Sequence, residues 1–168
     1  MTRSEAEVEV VPYDPSWPAL FLRERTALEA ALGPWLAGPI EHIGSTAVPG
    51  LLAKPVIDIM AAVEDLEASR PAIAALAPLD YCYYPYRADV MHWFCKPSPS
   101  LRTHHLHLVP FGSKLWMERL AFRDSLRRSP MLAAEYAQLK ERLAEKFKAD
   151  REGYTDAKWP FIQKVLSG

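Results

Sequence analysis

The stretch Glu41 to Val63, EHIGSTAVPGLLAKPVIDIMAAV, constrains this chain more than any other part of it. It reads as a strand, a Gly-Ser turn, a loop bounded by proline and glycine, and a second strand with a single carboxylate, Asp58. Both strands are nearly all apolar, so the polar residues within them stand out. Gly44 allows a tight bend, and Ser45 and Thr46 then offer backbone N–H groups and hydroxyls, a geometry that suits a phosphate. Pro49 and Gly50 turn the loop, and Lys54 stands just before the Asp58 strand. A phosphate-sized anion, a lysine and a carboxylate able to hold a divalent metal would meet at this turn.

The rest of the composition narrows the class. A chain of 168 residues fits one domain, 1–168, with enough apolar content (49%) for a real core. Twenty basic residues against 21 acidic ones leave a net charge of −1, which argues against extended nucleic-acid or anionic-membrane contacts. No apolar run reaches the ~18 to 20 residues of a membrane span. The acidic start MTRSEAEVEV lacks the apolar core of a signal peptide, so a cytoplasmic protein is expected. Cys82 and Cys95, with no CxxC spacing, are expected as reduced thiols rather than a disulfide or zinc knuckle.

Taken in order, residues 1 to 7 read as a tail and Val8 to Val11 as a short edge strand. Asp14-Pro15 reads as a helix start, and Trp17, Leu20, Phe21, Leu28, Ala31 and Leu32 recur at helical spacing until Gly33-Pro34. Ile40 to Ile43 and Val56 to Val63 are core strands. Asp65 caps a helix to about Leu76 that Pro71 should disturb. Tyr81 to Tyr86 and Met91 to Lys96 form a hairpin, and Thr103 to Val109 another strand. Ser113 caps a helix over Lys114 to Arg128, Ser129-Pro130 starts one through about Ala149, and a short last helix follows Tyr154, with Pro160 making its first turn irregular. The fold class is α+β: a small mixed sheet flanked by helices, with a helical C-terminal third.

The run HIGSTAVPGLLAKPVIDIM resembles the signature of the GrpB (UPF0157) proteins, a branch of the nucleotidyltransferase-fold superfamily. The similarity continues through HLHLVPFGSKLW and FRDSLRRSP to the YTDAKWPFI tail. The superfamily pattern is Gly-Ser, then roughly ten residues, then two acids spaced by one. Gly44-Ser45 and Asp58 match it, but the second acidic position is Met60. The resemblance implies a nucleotidyltransferase-like fold and phosphoryl or nucleotidyl transfer. It also implies that the tail, with Tyr154 and Lys158, packs near the cleft, where Lys158 would neutralise a phosphate. GrpB-like domains occur fused or paired with a coenzyme A biosynthesis kinase, which makes a coenzyme A-related nucleotide a candidate ligand.

Alternation along strands places Val56, Asp58 and Met60 on one face of their strand, and His105 and His107 together on theirs. With the apolar faces packed on helices, Asp58, His105 and His107 share the face left open. By resemblance, the HLH run occupies the place of the superfamily's third metal carboxylate. One Asp and two His make a softer set than paired carboxylates, better suited to Zn²⁺, Mn²⁺ or Fe²⁺ than to Mg²⁺. The blander alternative has the histidines hydrogen-bonding within a polar cleft. Asp58 needs a partner in its apolar strand, which a metal, Lys54 or a histidine would supply. Ser45 and Thr46 could instead satisfy their own turn, and Lys54 could be an exposed loop lysine. His42 reads as a satisfied histidine, and Arg102 as a surface residue that could instead reach a phosphate. Arg123, Asp124, Arg127 and Arg128 read as a solvated helix face, with the alternative that Arg123 and Arg127, one turn apart on one face, pair with Asp124 or substrate.

The expected function is therefore a metal-dependent, nucleotidyltransferase-like protein that binds a nucleotide or another phosphorylated small molecule. Gly44, Ser45, Thr46, Lys54 and Lys158 would hold phosphate, and Asp58, His105 and His107 a divalent metal. The alternative is a non-catalytic nucleotide- or metal-binding module, favoured by Met60, which cannot hold Mg²⁺. A third reading, a histidine-triad hydrolase, leaves Val109 where a third histidine belongs and the Gly-Ser turn unexplained.

Overall fold

The computed structural model describes residues 7–168, so the tail reading falls, except for Glu7, outside the described residues. Strand β2 (Ile57–Val63) forms the centre of the architecture. It is apolar on both faces, and the structure flanks it with β1 (Leu36–Ile43) on one side and β5 (Arg102–Pro110) on the other. The β1–β2 pair is antiparallel and the β2–β5 pair parallel. β4 (His92–Pro97) and the two-residue β3 (Cys82–Tyr83) complete a mixed five-stranded sheet in the order β1-β2-β5-β4-β3. The register of the parallel pair sets Asp58 opposite His105 and Met60 opposite His107.

Side-chain alternation then sorts the sheet into two cores. Ile57, Ile59, Ala61, Phe94, Leu106 and Leu108 face α1 (Trp17–Leu32), whose Trp17, Phe21, Leu28 and Leu32 recur at helical spacing and close that face. Met60, Ala62, Met91, Trp93, Cys95 and Val109 face the other way, against Leu115 and Trp116 of α3 (Lys114–Arg128). The face that carries Asp58, His105 and His107 is therefore not left open, as expected, but partly roofed by α3. A central strand with two apolar faces has to bury both. The C-terminal helices α4 (Pro130–Lys146) and α5 (Arg151–Ser167) pack beyond α3 and against the Gly-Ser loop through Val48, Leu51, Leu126, Tyr136 and Phe161.

Local signals hold where a side chain can act within one turn. Ser113 and Ser129 accept the N–H groups of Trp116 and Leu132 and cap α3 and α4. Several expectations are corrected. The Val8 to Val11 strand shrinks to one bridge between Val11 and Ala53. The helix after Asp65 is only α2 (Ala72–Leu76): Pro71 starts it instead of disturbing it, because a proline's missing N–H costs nothing at a helix N-terminus. Asp14 takes the Ser16 N–H just outside α1, and Pro18 rather than Pro15 lies in the first turn. The last helix is long, beginning at Arg151 with Asp150 as its cap, and Pro160 lies in its middle. α4 ends at Lys146 rather than about Ala149.

Candidate functional site

The turn after β1 is built for close approach. Gly44 has φ +72° and ψ −173°, a region reserved for glycine, and a Cβ there would stand 2.8 Å from Asp58 Oδ2. Ser45 to Ala47 follow as one tight helical turn. The Thr46 hydroxyl donates to the Val56 carbonyl at 3.0 Å and accepts from His42 Nε2 at 2.9 Å. Thr46 is thus buried and fully engaged; it ties the turn to the start of β2 and does not face a ligand. Ser45 is half-buried beside the Tyr136 phenol.

Asp58 points into the cleft between this turn and α5, with its side chain 24% exposed. His107 Nε2 donates to Asp58 Oδ1 at 2.7 Å, while Nδ1 of the same ring faces the Met91 sulfur at 3.5 Å. Burial alone would raise the Asp58 carboxyl. His107, helped by His105 and Arg119, overrides it and holds the group well below the usual carboxylate range. His105 packs its ring on Trp93, with centroids 5.1 Å apart, and its buried Nε2 has no hydrogen-bond partner. Burial pushes this imidazole down to about 3, so it is neutral.

Around the one carboxylate stands a surplus of cations. Lys54 and Lys158 approach the same aromatic ring, that of Tyr154, at 5.4 and 4.6 Å. Tyr154 and Lys158 are one turn apart on α5, which brings the C-terminal tail to the cleft. Burial, with Arg151 nearby, pushes the Lys54 amine down to about 8. Burial and the charge of Lys54 push Lys158 down to about 7. Arg119 on α3 contributes to the same field. Lys140, from α4, lies behind them; its ammonium donates to the Leu52 carbonyl at 2.5 Å, and burial pushes it to about 6. Gly44 lies against the Asp58 carboxylate, and Lys54, His105, Arg119 and Lys158 stand close enough to interact with it electrostatically; all are partly exposed.

This donor set does not suit the Zn²⁺, Mn²⁺ or Mg²⁺ ion expected from the sequence. Among the described residues no three His, Cys, Asp or Glu side chains gather as ligands. His107 turns its Nε2 to Asp58, and neighbouring Lys54, Lys158 and Arg119 oppose any dication. The arrangement favours an anion.

Sequence reasoning missed Arg119 and Lys140, and read Arg123 and Arg127 chiefly as solvated. Arg119, Arg123 and Arg127 recur every fourth residue along one face of α3, and that periodicity was the available signal. Arg123 is no solvated residue: its side chain is 10% exposed and donates to Glu41 at 2.6 Å, to Asp124 and to the His42 carbonyl. Arg127 donates to the Ala47 carbonyl at 2.9 Å, so both arginines grip the Gly-Ser turn from above. Lys140 had no signal, being one lysine among many on an amphipathic helix. His42, stacked on Phe21 and pushed by burial to about 4, is the satisfied histidine expected. Two surface clefts, of about 360 and 420 Å³, lie among the C-terminal helices and contain none of Asp58, Lys54 or Lys158.

Comparison with known proteins gives a consistent lineage. The family model described as GrpB protein matches residues 7–167. A UPF0157 protein of Pseudomonas aeruginosa is 39% identical over 95% of this chain and 66% of its own length. The glutamate-rich protein GrpB of Alkalihalophilus pseudofirmus is 34% identical over 98% of this chain and 97% of its own. A dephospho-CoA kinase of Mycolicibacterium paratuberculosis is 30% identical over 95% of this chain, which spans 45% of that protein. The crystal structure of the conserved protein GrpB from Enterococcus faecalis superposes with a TM-score of 0.85 at 34% identity, covering 95% of both chains. With a family match over nearly its whole length and a relative covered end to end, this chain belongs to the GrpB family.

Proposed function

We propose that this protein binds a phosphorylated small molecule in the Asp58 cleft. The phosphate would sit between the Gly44-Ser45 turn, Lys54, Lys158 and Arg119, and Asp58 would hold His107 in place beside it. The single observation that carries this reading is the pair of half-buried amines, Lys54 and Lys158, converging on one ring with Asp58 as the carboxylate that acts on both among the described residues. Two like charges at such range are costly unless an anion joins them. An arriving phosphate would draw a proton onto each amine and add charge-assisted hydrogen bonds.

The non-catalytic module is the better supported form of this reading. His107 Nε2 is occupied by Asp58, and Met60 is buried where a second acid would stand. Nucleotidyl transfer remains a second reading, favoured by the Gly-Ser turn lying directly against Asp58. In that case any dication would arrive with the ligand's own phosphates. The half-length match to a dephospho-CoA kinase makes phosphorylated intermediates of coenzyme A synthesis worth including in a ligand panel.

The test is calorimetric titration of the protein with pyrophosphate, sugar phosphates and nucleotides, with and without Mg²⁺, Mn²⁺ or Zn²⁺. Lys158→Ala should weaken binding of every phosphorylated ligand by about ten- to a hundredfold, the range of a lost charged hydrogen bond. Equal affinity in wild type and Lys158→Ala would sink the reading. Product formation with a metal present would move it to transfer.

A further inference from the structure

The wall of the cleft beyond His105 is aromatic and unused by the phosphate reading. Trp93 lies on the same sheet face as Asp58, His105 and His107, opposite His107 in register and packed on the His105 ring. The Arg102 guanidinium stands 5.3 Å from the Trp93 ring. The strand β3 runs on past Tyr83, and Tyr84 N–H bonds the Trp93 carbonyl at 3.0 Å. This puts the Tyr84 and Tyr86 rings around Trp93, each with its centroid 6.1 Å away and nearly perpendicular to it. Trp93 is buried, but Tyr84 and Tyr86 are 53% and 47% exposed, which leaves two large aromatic surfaces in water beside a cationic cleft. Between wall and cations sits His105, with its buried Nε2 unpartnered and Lys54, Arg102 and Asp58 as its charged neighbours.

We infer that Tyr84, Tyr86, Trp93 and Arg102 form a ring-binding subsite, and that the ligand of this cleft is a nucleoside phosphate. The inference rests on the phosphate reading for the other end of the ligand. A flat heteroaromatic ring stacks on tyrosine faces and on a guanidinium plane whatever its identity. A hydrogen-bonding group on the ligand near the ring would satisfy His105 Nε2, which has no partner among the described residues. A sugar phosphate would fill the cationic end and leave this wall wet.

The experiment compares AMP and ATP with ribose 5-phosphate and pyrophosphate on the full chain, by calorimetry and by tryptophan fluorescence, to which Trp93 is one of five contributors. The proteins are wild type, Tyr84→Ala/Tyr86→Ala and Lys158→Ala, each checked for fold by circular dichroism. Wild type should bind AMP about tenfold or more tightly than ribose 5-phosphate, and AMP should quench the tryptophan signal. The double tyrosine variant should lose that preference while keeping its affinity for ribose 5-phosphate and pyrophosphate. Equal affinity for AMP and ribose 5-phosphate in wild type, or an unchanged preference in the double variant, overturns the ring subsite and leaves the phosphate reading standing. Failure of all four ligands to bind wild type overturns both.

Discussion

At the scale of single residues, Gly44 joins two constraints that no other side chain meets. Its backbone lies where only glycine is at ease, and its missing Cβ is what lets the Asp58 carboxylate pass. Gly44→Ala should therefore destabilise the fold by about 1–3 kcal/mol, from strain and from displacement of Asp58. Chemical denaturation measures the loss, and an unchanged midpoint would mean the turn relaxes freely. Thr46 shows the opposite economy: its hydroxyl joins His42 to Val56 and has nothing left for a ligand. Its neighbour Ser45 stays half-buried at the cleft. Adjacent residues in one motif thus divide between holding the turn and facing the site.

At the scale of elements, α3 does more than roof the sheet. Arg123 joins the helix to Glu41 and to the His42 carbonyl, and Arg127 joins it to Ala47. Arg123→Ala leaves the Glu41 carboxylate and that carbonyl without this donor. It should cost about 2–3 kcal/mol and should loosen the phosphate site without removing a group from it. Hydrogen exchange would show the effect as faster exchange at residues 44–48; unchanged protection there would refute the clamp. Helix α5 makes a comparable contribution from the other side. It begins at Arg151, ahead of both residues, and their one-turn spacing carries Tyr154 and Lys158 over the cleft on the same side of the helix.

At the scale of the whole molecule, the buried lysines and histidines share one sign. Lys54, Lys140 and Lys158 are pushed below their ordinary value of 10.5 to about 8, 6 and 7, so the unfolded chain binds more protons than the folded one across that interval. Stability then rises with pH from about 6 towards 10.5. His42 and His105, pushed to about 4 and 3, extend the same slope into acid. Above pH 10 the raised tyrosines, Tyr136 and Tyr154, turn it over. The unliganded protein should gain stability steadily between pH 6.5 and 9.5, measured by urea unfolding. Affinity for phosphate should fall over the same range, because the bound form needs the amines protonated. Parallel trends in the two quantities would contradict the assignment.

The division between what the chain announced and what it concealed follows from the range of the interactions. By itself the sequence located β2, β4 and β5, the bounds of α3 and the start of α4, since period-two alternation and serine caps act within a few residues. It also determined that His105 and His107 share a face of their strand, because alternation fixes that within one strand; that Asp58 joins them depended on the register of the β2–β5 pair. Pro71 and Pro160 misled because a proline's cost depends on its position in a helix, which the local sequence does not reveal. Tertiary structure alone decided that β2 and β5 run parallel in register, that His107 spends its Nε2 on Asp58, and that α3 and α5 bring Arg119 and Lys158 to one carboxylate. These are contacts between residues many positions apart, and the excess of positive side chains they gather around Asp58 exists only once the chain has closed on itself.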